Sequence, residues 1–475
     1  MRNRSTDATR NDSVGGDLHT ADSAPTSITP AAAAAAVIAA TVLHGMIHGY
    51  SIFLSPLNSQ MRDFFAVDGI SAITAMKTTY LAVYAAGNLL FGVLTNRISA
   101  RVTLALGMVV NGAAVAGFAA MGPNDIALMH ALWALAAFGG SVYHPVANVL
   151  ITRLYPTRKG MVLGVTGTGA AVGFAFAPLA TGVLATVAGL TWQQIALLFG
   201  SAGVLVGIAA WGMIPPAARE ANGPHTAGSQ HGANEPSEHR GAPHREEHSG
   251  EALDHAQGRS PHSPSHFPTL GVAGLALVIG VASLREVAMW SVLDTSDFFL
   301  TLVLADSTRT GFFLFLLYLP GIFVKPLVGV LSDKIGRKRL ASAALIFYGL
   351  AVASSAAAGS IALIPIYLLM GIGMAATIPS IEAIVADATT ERNRGVVFGV
   401  FVTAMIGIGA LGPFFSGVFL DAVGGTIEGF RALMLVLGAL PLLGGIALAI
   451  LRLPPREPTA GEVSTRAAPH DGSGP

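Results

Sequence analysis

The sequence predicts an all-α membrane protein with 12 transmembrane helices in two pseudo-symmetric six-helix bundles. Three observations carry that prediction. The 475 residues are 52% hydrophobic and only 11% charged, against roughly 25% charged for a soluble domain, so lipid suits this chain as a solvent. Apolar runs long enough to cross a hydrocarbon core of ~30 Å recur along it. They fall six and six around a polar, histidine-rich insert at 215–268.

Residues 1–30 are polar, lack the basic-then-apolar form of a cleaved leader, and are expected to form a disordered cytoplasmic tail. A first bundle is expected over 31–214, with spans near 31–54, 72–94, 102–121, 126–150, 161–187 and 193–214. A disordered cytoplasmic linker occupies 215–268. The second bundle covers 269–452, with spans near 269–293, 311–331, 340–358, 361–385, 395–420 and 432–452, and 453–475 forms a further cytoplasmic tail. These runs are too long and too uniformly apolar for barrel strands, the other way to satisfy a backbone in lipid.

Basic residues set the expected orientation. One side carries Arg97, Arg101, Arg153, Arg158, Lys159, Lys334, Arg337, Lys338, Arg339, Arg392 and Arg394, the other only Arg62, Arg309 and Arg431. The richer side, both termini and the linker are therefore expected in the cytoplasm of a bacterial inner membrane. The halves also repeat. Gly160, Gly164, Pro178 and Gly182 reappear as Gly395, Gly399, Pro413 and Gly417, each displaced by 235 residues. Any lipid-facing helix has leucines, whereas matched Gly and Pro imply equivalent backbone bends. Two such halves fit an alternating-access transporter with its site near the midplane between them.

The loop after the eighth span reads Gly329-Val-Leu-Ser-Asp333-Lys-Ile-Gly336-Arg337-Lys338-Arg339. This is very similar to the G-x-L-x-D-x-x-G-R-[KR] signature of the major facilitator superfamily, in which the loop is thought to latch a cytoplasmic gate. Gly336 permits a tight reversal, Asp333 can face a helix N-terminus, and the basic run anchors the loop at the surface. The first-half copy, Gly92-Val-Leu-Thr-Asn96-Arg-Ile-Ser99-Ala-Arg101, has Asn for the acid and Ser for the second glycine. Gly140-Ser-Val-Tyr143-His144-Pro145, Gly160-Met-Val-Leu-Gly164, Ala177-Pro178, the pair His44 and His48, and Leu284-Arg285 further resemble the fosmidomycin-resistance-like drug efflux branch. That resemblance implies proton-driven export of a small organic molecule. The Arg-x-x-x-Gly motif of many drug/proton antiporters is missing from span four, where His130 and Trp133 stand.

Ionisable groups inside a membrane cost ~2.5–3.5 kcal/mol at the centre, so they usually face a cavity and act there. His44 and His48 share a helix face, are expected beyond the midplane toward the outer side, and could carry a proton or simply be neutral and hydrogen-bonded. Tyr143 and His144 are placed in the cytoplasmic half of span four, where Pro145 bends the helix; Pro178 and Pro413 are expected to bend spans five and eleven. Arg285 and Glu286 are expected near the outer boundary, on faces about 100° apart that pair poorly. Arg285 either counters an anionic substrate or snorkels to the interface. Glu382 is a candidate proton carrier, Asp387 a structural partner of Arg392 and Arg394, and Lys77 and Lys325 are read as snorkelling. Gly169, Gly173, Gly407, Gly409, Gly412 and Gly417 are read as packing and hinge positions.

Eight of the 14 histidines lie in the insert, among them His225, His231, His239, His244 and His248. A plain linker and a metal-collecting tract both fit their irregular spacing. With a net charge of zero, no cysteine and no phosphate-cradling G-x-x-x-x-G-K-[ST] loop, nucleic acid, thiol chemistry and ATP hydrolysis are not expected. No cofactor is expected. The partners expected are a small molecule, protons and the bilayer, around a monomer that is not an enzyme. The favoured activity is proton-coupled export of a small organic compound, with His44, His48, His144 and Glu382 as protonation groups and Arg285 and Glu286 as substrate contacts. Small-carboxylate uptake through Arg285 and divalent-metal efflux through His44, His48 and the insert are the alternatives. A non-transporting sensor would not need the gate loop.

Overall fold

The computed structural model describes residues 28–216, 270–304, 309–389 and 394–451, and the regular structure among them is helical throughout. The chain enters α1 (Pro30–Tyr50) through Thr29, whose hydroxyl accepts from the Ala32 amide at 3.2 Å while Pro30 takes the first helical position. After a short turn comes α2 (Asn58–Phe64), so the first span continues well past Leu54. Then follow α3 (Ile70–Leu94), α4 (Ala100–Gly117), α5 (Ile126–Ser141), α6 (Tyr143–Leu154), α7 (Lys159–Thr186) and α8 (Trp192–Met213). The second half contains α9 (Val272–Leu304), α10 (Thr310–Tyr318), α11 (Pro320–Ile335), α12 (Arg337–Ser354), α13 (Ser360–Asp387), α14 (Arg394–Gly409), α15 (Leu411–Ala422) and α16 (Ile427–Ile450).

Eleven helical segments among the described residues are long and apolar enough to cross a bilayer. The twelfth expected span is α3, whose 25 residues reach ~37 Å at ~1.5 Å per residue but include Thr74, Lys77, Thr78, Thr79 and Asn88. Its polar side chains turn inward, as their burial shows for Thr74, Lys77 and Asn88. The outer surface is apolar, with Ile38, Leu205, Val272 and Leu443 all more than half exposed, a surface that water would not tolerate and lipid requires.

The two halves repeat in three dimensions. Within each, spans one and five pack together (α1 on α7; α9 on α14), and so do spans three and six (α4 on α8; α12 on α16). Between halves, α3 packs on α14 and α15 while α7 packs on α10. These are the two equivalent crossings of the pseudo-twofold, spans two with eleven and five with eight. Glycine permits the tightest approaches. A Cβ on Gly169 would lie 2.1 Å from the Thr41 carbonyl oxygen, and one on Gly173 would lie 2.0 Å from that of Gly45.

The prolines act differently from one another. Pro145 follows a break at Val142 between α5 and α6, and its own carbonyl accepts from Thr95 Oγ1 at 3.2 Å. Pro178 sits in the unbroken α7, with its carbonyl against Gly311 of α10. Pro413 follows a break at Ala410, and there Thr78 of the first half enters the gap. Its hydroxyl donates to the Ala410 carbonyl at 2.7 Å and accepts from the Phe414 amide at 3.2 Å. One threonine thus stands in for a backbone bond of the other half.

Candidate functional site

Two of the spans are longer than expected, and this re-centres the polar residues they carry. The first helical segment runs Pro30–Phe64 and the seventh Val272–Leu304, so His44, His48, Arg285 and Glu286 lie near the middle of their spans. They are not at the outer boundary. Ser55 and Asn58 follow the end of an apolar run in the sequence, as do Asp294, Ser296 and Asp297, but all five are buried and the chain stays within the bundle.

The first half gathers three histidines. The His44 ring is centred 4.8 Å from His48, 5.0 Å from His144 and 4.4 Å from Tyr143, on which it stacks. His48 and His144 are 5.4 Å apart. The predicted split between an outer His44/His48 pair and an inner Tyr143/His144 pair is therefore corrected, because α6 begins one turn past the centre of its own span. His44 Nδ1 bonds the Thr166 carbonyl at 2.8 Å, and Phe174 of α7 covers His48 at 4.5 Å.

Opposite lies an ionic cluster on the second half. Arg285 pairs with the adjacent Glu286, donates from Nε to Thr377 Oγ1 at 3.0 Å and from Nη2 to the Met374 carbonyl at 3.1 Å. Adjacent residues on a helix were expected to pair poorly. Here both long side chains curl to one side because neither can reach solvent, being 4% and 5% exposed. Snorkelling of Arg285 is thereby excluded. Lys325, also expected to snorkel, lies mid-span on α11 within electrostatic range of Arg285, Glu286 and Glu382, and of His44 and His48 across the interface. It is exposed although these groups stand around it. Phe174 bridges the two clusters, stacking on Tyr318 of α10 at 4.7 Å.

The halves are tied together on the face opposite the basic loops. Lys77 bonds the Ser51 carbonyl and approaches Asp294 Oδ1 at 3.9 Å, so it too is buried and not snorkelling. Asn58 donates to the Asp294 carbonyl at 2.7 Å, and Asp297 accepts from the Ser59 amide, the Ser59 hydroxyl and Thr310 Oγ1 at 2.7, 2.5 and 3.0 Å. Asp421 at the end of α15 accepts from the Ile70 and Ser71 amides at 2.6 and 3.1 Å, a carboxylate from one half on a helix N-terminus of the other.

On the basic face, Gly336 takes φ +96°, a left-handed conformation that turns α11 into α12. Arg337 donates to the Ala383 carbonyl at 2.9 Å and pairs with Asp387; the side chains of Arg392 and Arg394, the partners expected for Asp387, lie outside the described residues. Lys338 Nζ donates to the Leu451 carbonyl at 2.6 Å. Nothing crowds Gly329, and the Asp333 side chain lies outside the described residues. In the first half Asn96 accepts from Arg153 at 2.9 Å, so the neutral residue still ties its loop to span four. The insert histidines His225, His231, His239, His244 and His248 fall outside the described residues.

The model of the Major Facilitator Superfamily matches residues 32–316 and 275–472. The chain belongs to the Major Facilitator Superfamily. Among solved structures, this superfamily member is similar in fold to a bacterial homolog of the human lysosomal transporter Spinster in an inward-facing, unoccupied conformation. The TM-score is 0.66 at 15% identity, covering 89% of this chain and 97% of that one. A mutant of the nucleoside transporter NupG is similar at TM-score 0.65 and 13% identity, covering 87% and 98%. A curated relative, the 4-hydroxybenzoate transporter PcaK of Pseudomonas putida, is 32% identical over 124 residues, so this chain spans about a quarter of its length. As a superfamily member the protein is a transporter and not an enzyme.

Sequence reasoning missed Lys77, Asp294 and Asp297 as members of one interface. The signal was present. Asp294 and Asp297 are three apart, hence on one helix face, and the chain returns to Phe298-Phe-Leu-Thr-Leu-Val-Leu304 directly after them.

Proposed function

We propose that the chain is a proton-coupled transporter that exports a small organic compound by alternating access, in a bacterial inner membrane with its basic face and both termini in the cytoplasm. One observation carries the reading: ionisable groups of both halves approach each other inside the membrane, His44 and His48 lying across from Lys325, which in turn lies among Arg285, Glu286 and Glu382. Neutral histidines and balanced ion pairs tolerate burial; a proton arriving from outside disturbs that balance and gives the halves a reason to re-orient.

With the basic face cytoplasmic, the ties through Asp294, Asp297 and Asp421 close the outside, and the conformation is open inward. A compound then enters from the cytoplasm beside Lys325 and Phe174. The latch at 329–338 with Asp387 is the counterpart that closes when the outer ties part. The 140–145 and His44/His48 motifs support placing the protein in the fosmidomycin-resistance-like branch, and the halves at 31–214 and 269–452, joined by a linker, are the moving units.

A second reading is uptake of a small carboxylate with protons. It is favoured by the two mid-span cations Arg285 and Lys325, and by the partial match to a protein named a 4-hydroxybenzoate transporter. Everted and right-side-out vesicles distinguish them. Export predicts that neutral or cationic organic compounds dissipate an acid-inside gradient in everted vesicles, and that His48→Ala abolishes this. Accumulation of 4-hydroxybenzoate in right-side-out vesicles, driven by an inward proton gradient and lost in Arg285→Ala, selects uptake. The absence of both responses would reject proton coupling for these substrates.

A further inference from the structure

We infer that His44, His48 and His144 form a three-imidazole site for a borderline divalent cation of the zinc or nickel class, built inside the N-terminal half. One ring nitrogen from each lies within 4.8 Å of the others. On a tetrahedral zinc ion, with Zn–N near ~2.0–2.1 Å, the ligand nitrogens stand ~3.4 Å apart. Small rotations about the side-chain torsions close the difference.

His44 supplies the independent argument. A carbonyl oxygen only accepts, so the 2.8 Å contact to Thr166 puts the hydrogen on Nδ1 and the lone pair on Nε2. Nε2 is buried with no hydrogen-bond partner, in a residue only 9% exposed. An imidazole whose one nitrogen donates to a backbone carbonyl while the other offers a lone pair is the arrangement that orients metal-bound histidine. Stacking on Tyr143 further fixes the ring plane. His48 lies one turn along α1, and His144 opens α6, so the three ligands come from two packed helices.

The donor set decides the ion. Three neutral imidazoles suit zinc, nickel, cobalt or copper, while calcium and magnesium require oxygen. The one charge of the other half within electrostatic range of His44 and His48 is Lys325, which opposes a cation there and is itself met by Glu286 and Glu382. All three ligands belong to one half. Binding therefore stiffens that half without bridging the interface, and it removes the imidazoles from proton exchange.

The test must separate this site from the insert. The full-length chain is purified with its eight histidines between 225 and 266 replaced by asparagine, then loaded with zinc or nickel salts. After desalting, about one cation per chain is expected to remain, its X-ray absorption showing imidazole ligands. The thermal midpoint should rise with cation concentration. His48→Gln and His144→Gln should each lose the retained cation and the midpoint shift while keeping the cation-free midpoint. Loss of all binding on replacing the insert histidines overturns the inference, as does a cation with only oxygen ligands or retention unchanged in both glutamine variants. If a glutamine variant does not fold, the ligand identity read by X-ray absorption decides: three imidazoles support the site, fewer than three reject it.

Discussion

Lys77 of α3 and Asp294 of α9 meet across the boundary between the halves, Nζ 3.9 Å from Oδ1, with their side chains only 6% and 3% exposed. Removing one partner of such a pair leaves a buried, uncompensated charge and costs about 3–5 kcal/mol, while replacing both with apolar residues costs far less. Lys77→Met and Asp294→Leu should each lower the thermal midpoint sharply, and the double variant should recover most of the loss. The chain has no cysteine, so Thr295→Cys provides a gate reporter. In the Lys77→Met background it should react faster with a membrane-impermeant maleimide added from outside.

Asp297 holds three donors, Ser59 N, Ser59 Oγ and Thr310 Oγ1. Asn in its place turns an amide toward one of them and leaves a buried donor unsatisfied, a cost of ~1–3 kcal/mol. Because the Ser59 bonds join the halves and the Thr310 bond does not, the closed outer face should weaken more than the fold. Asp297→Asn should raise outside labelling of Thr295→Cys while moving the thermal midpoint less than Lys77→Met does.

Arg285 uses three separate nitrogens on Glu286, Thr377 and the Met374 carbonyl. A lysine ammonium cannot reproduce that planar fork. Arg285→Lys should therefore transport at least ~10-fold more slowly, equivalent to about 1.4 kcal/mol, and Arg285→Ala should be inactive. If Glu286 matters only as the partner of Arg285, the double variant Arg285→Gln/Glu286→Gln should be more stable than Arg285→Ala, as unfolding will show.

Gly173 and Gly160 offer a paired control. A methyl on Gly173 meets the Gly45 carbonyl oxygen at 2.0 Å, whereas nothing lies within 4 Å of one on Gly160. Gly173→Ala should separate α1 from α7 and destabilise by ~1–3 kcal/mol; Gly160→Ala should be neutral or slightly stabilising by helix propensity. Expression level and thermal midpoint in detergent read both.

The helical class, the number of spans and the twofold relation between halves were legible in apolar run length and in matched Gly and Pro. Depth was not. Polar residues such as Ser55, Asn58, Asp294 and Asp297 look like loop in a hydropathy reading because hydropathy assumes lipid outside every helix. These face another helix, and their hydrogen bonds make them compatible with the interior. Ending spans one and seven too early pushed His44, His48, Arg285 and Glu286 toward the wrong boundary. The meeting of His44 with His144 was also hidden: a helix face can be read from spacing, but which two faces touch depends on the glycine contacts between α1 and α7 and on the break before Pro145.

Thr78 in the gap at 410–414 has a consequence for how the halves can separate. While it is there, the bend in span eleven is held by a side chain of the opposite half. When the halves part, the Ala410 carbonyl and the Phe414 amide lose their shared hydroxyl and are free to bond each other, while Pro413, with no N–H to offer Gly409, keeps the span bent. Separation of the halves at this point therefore exchanges a hydroxyl bridge between them for a backbone bond within one of them, so parting leaves neither polar group of span eleven without a partner.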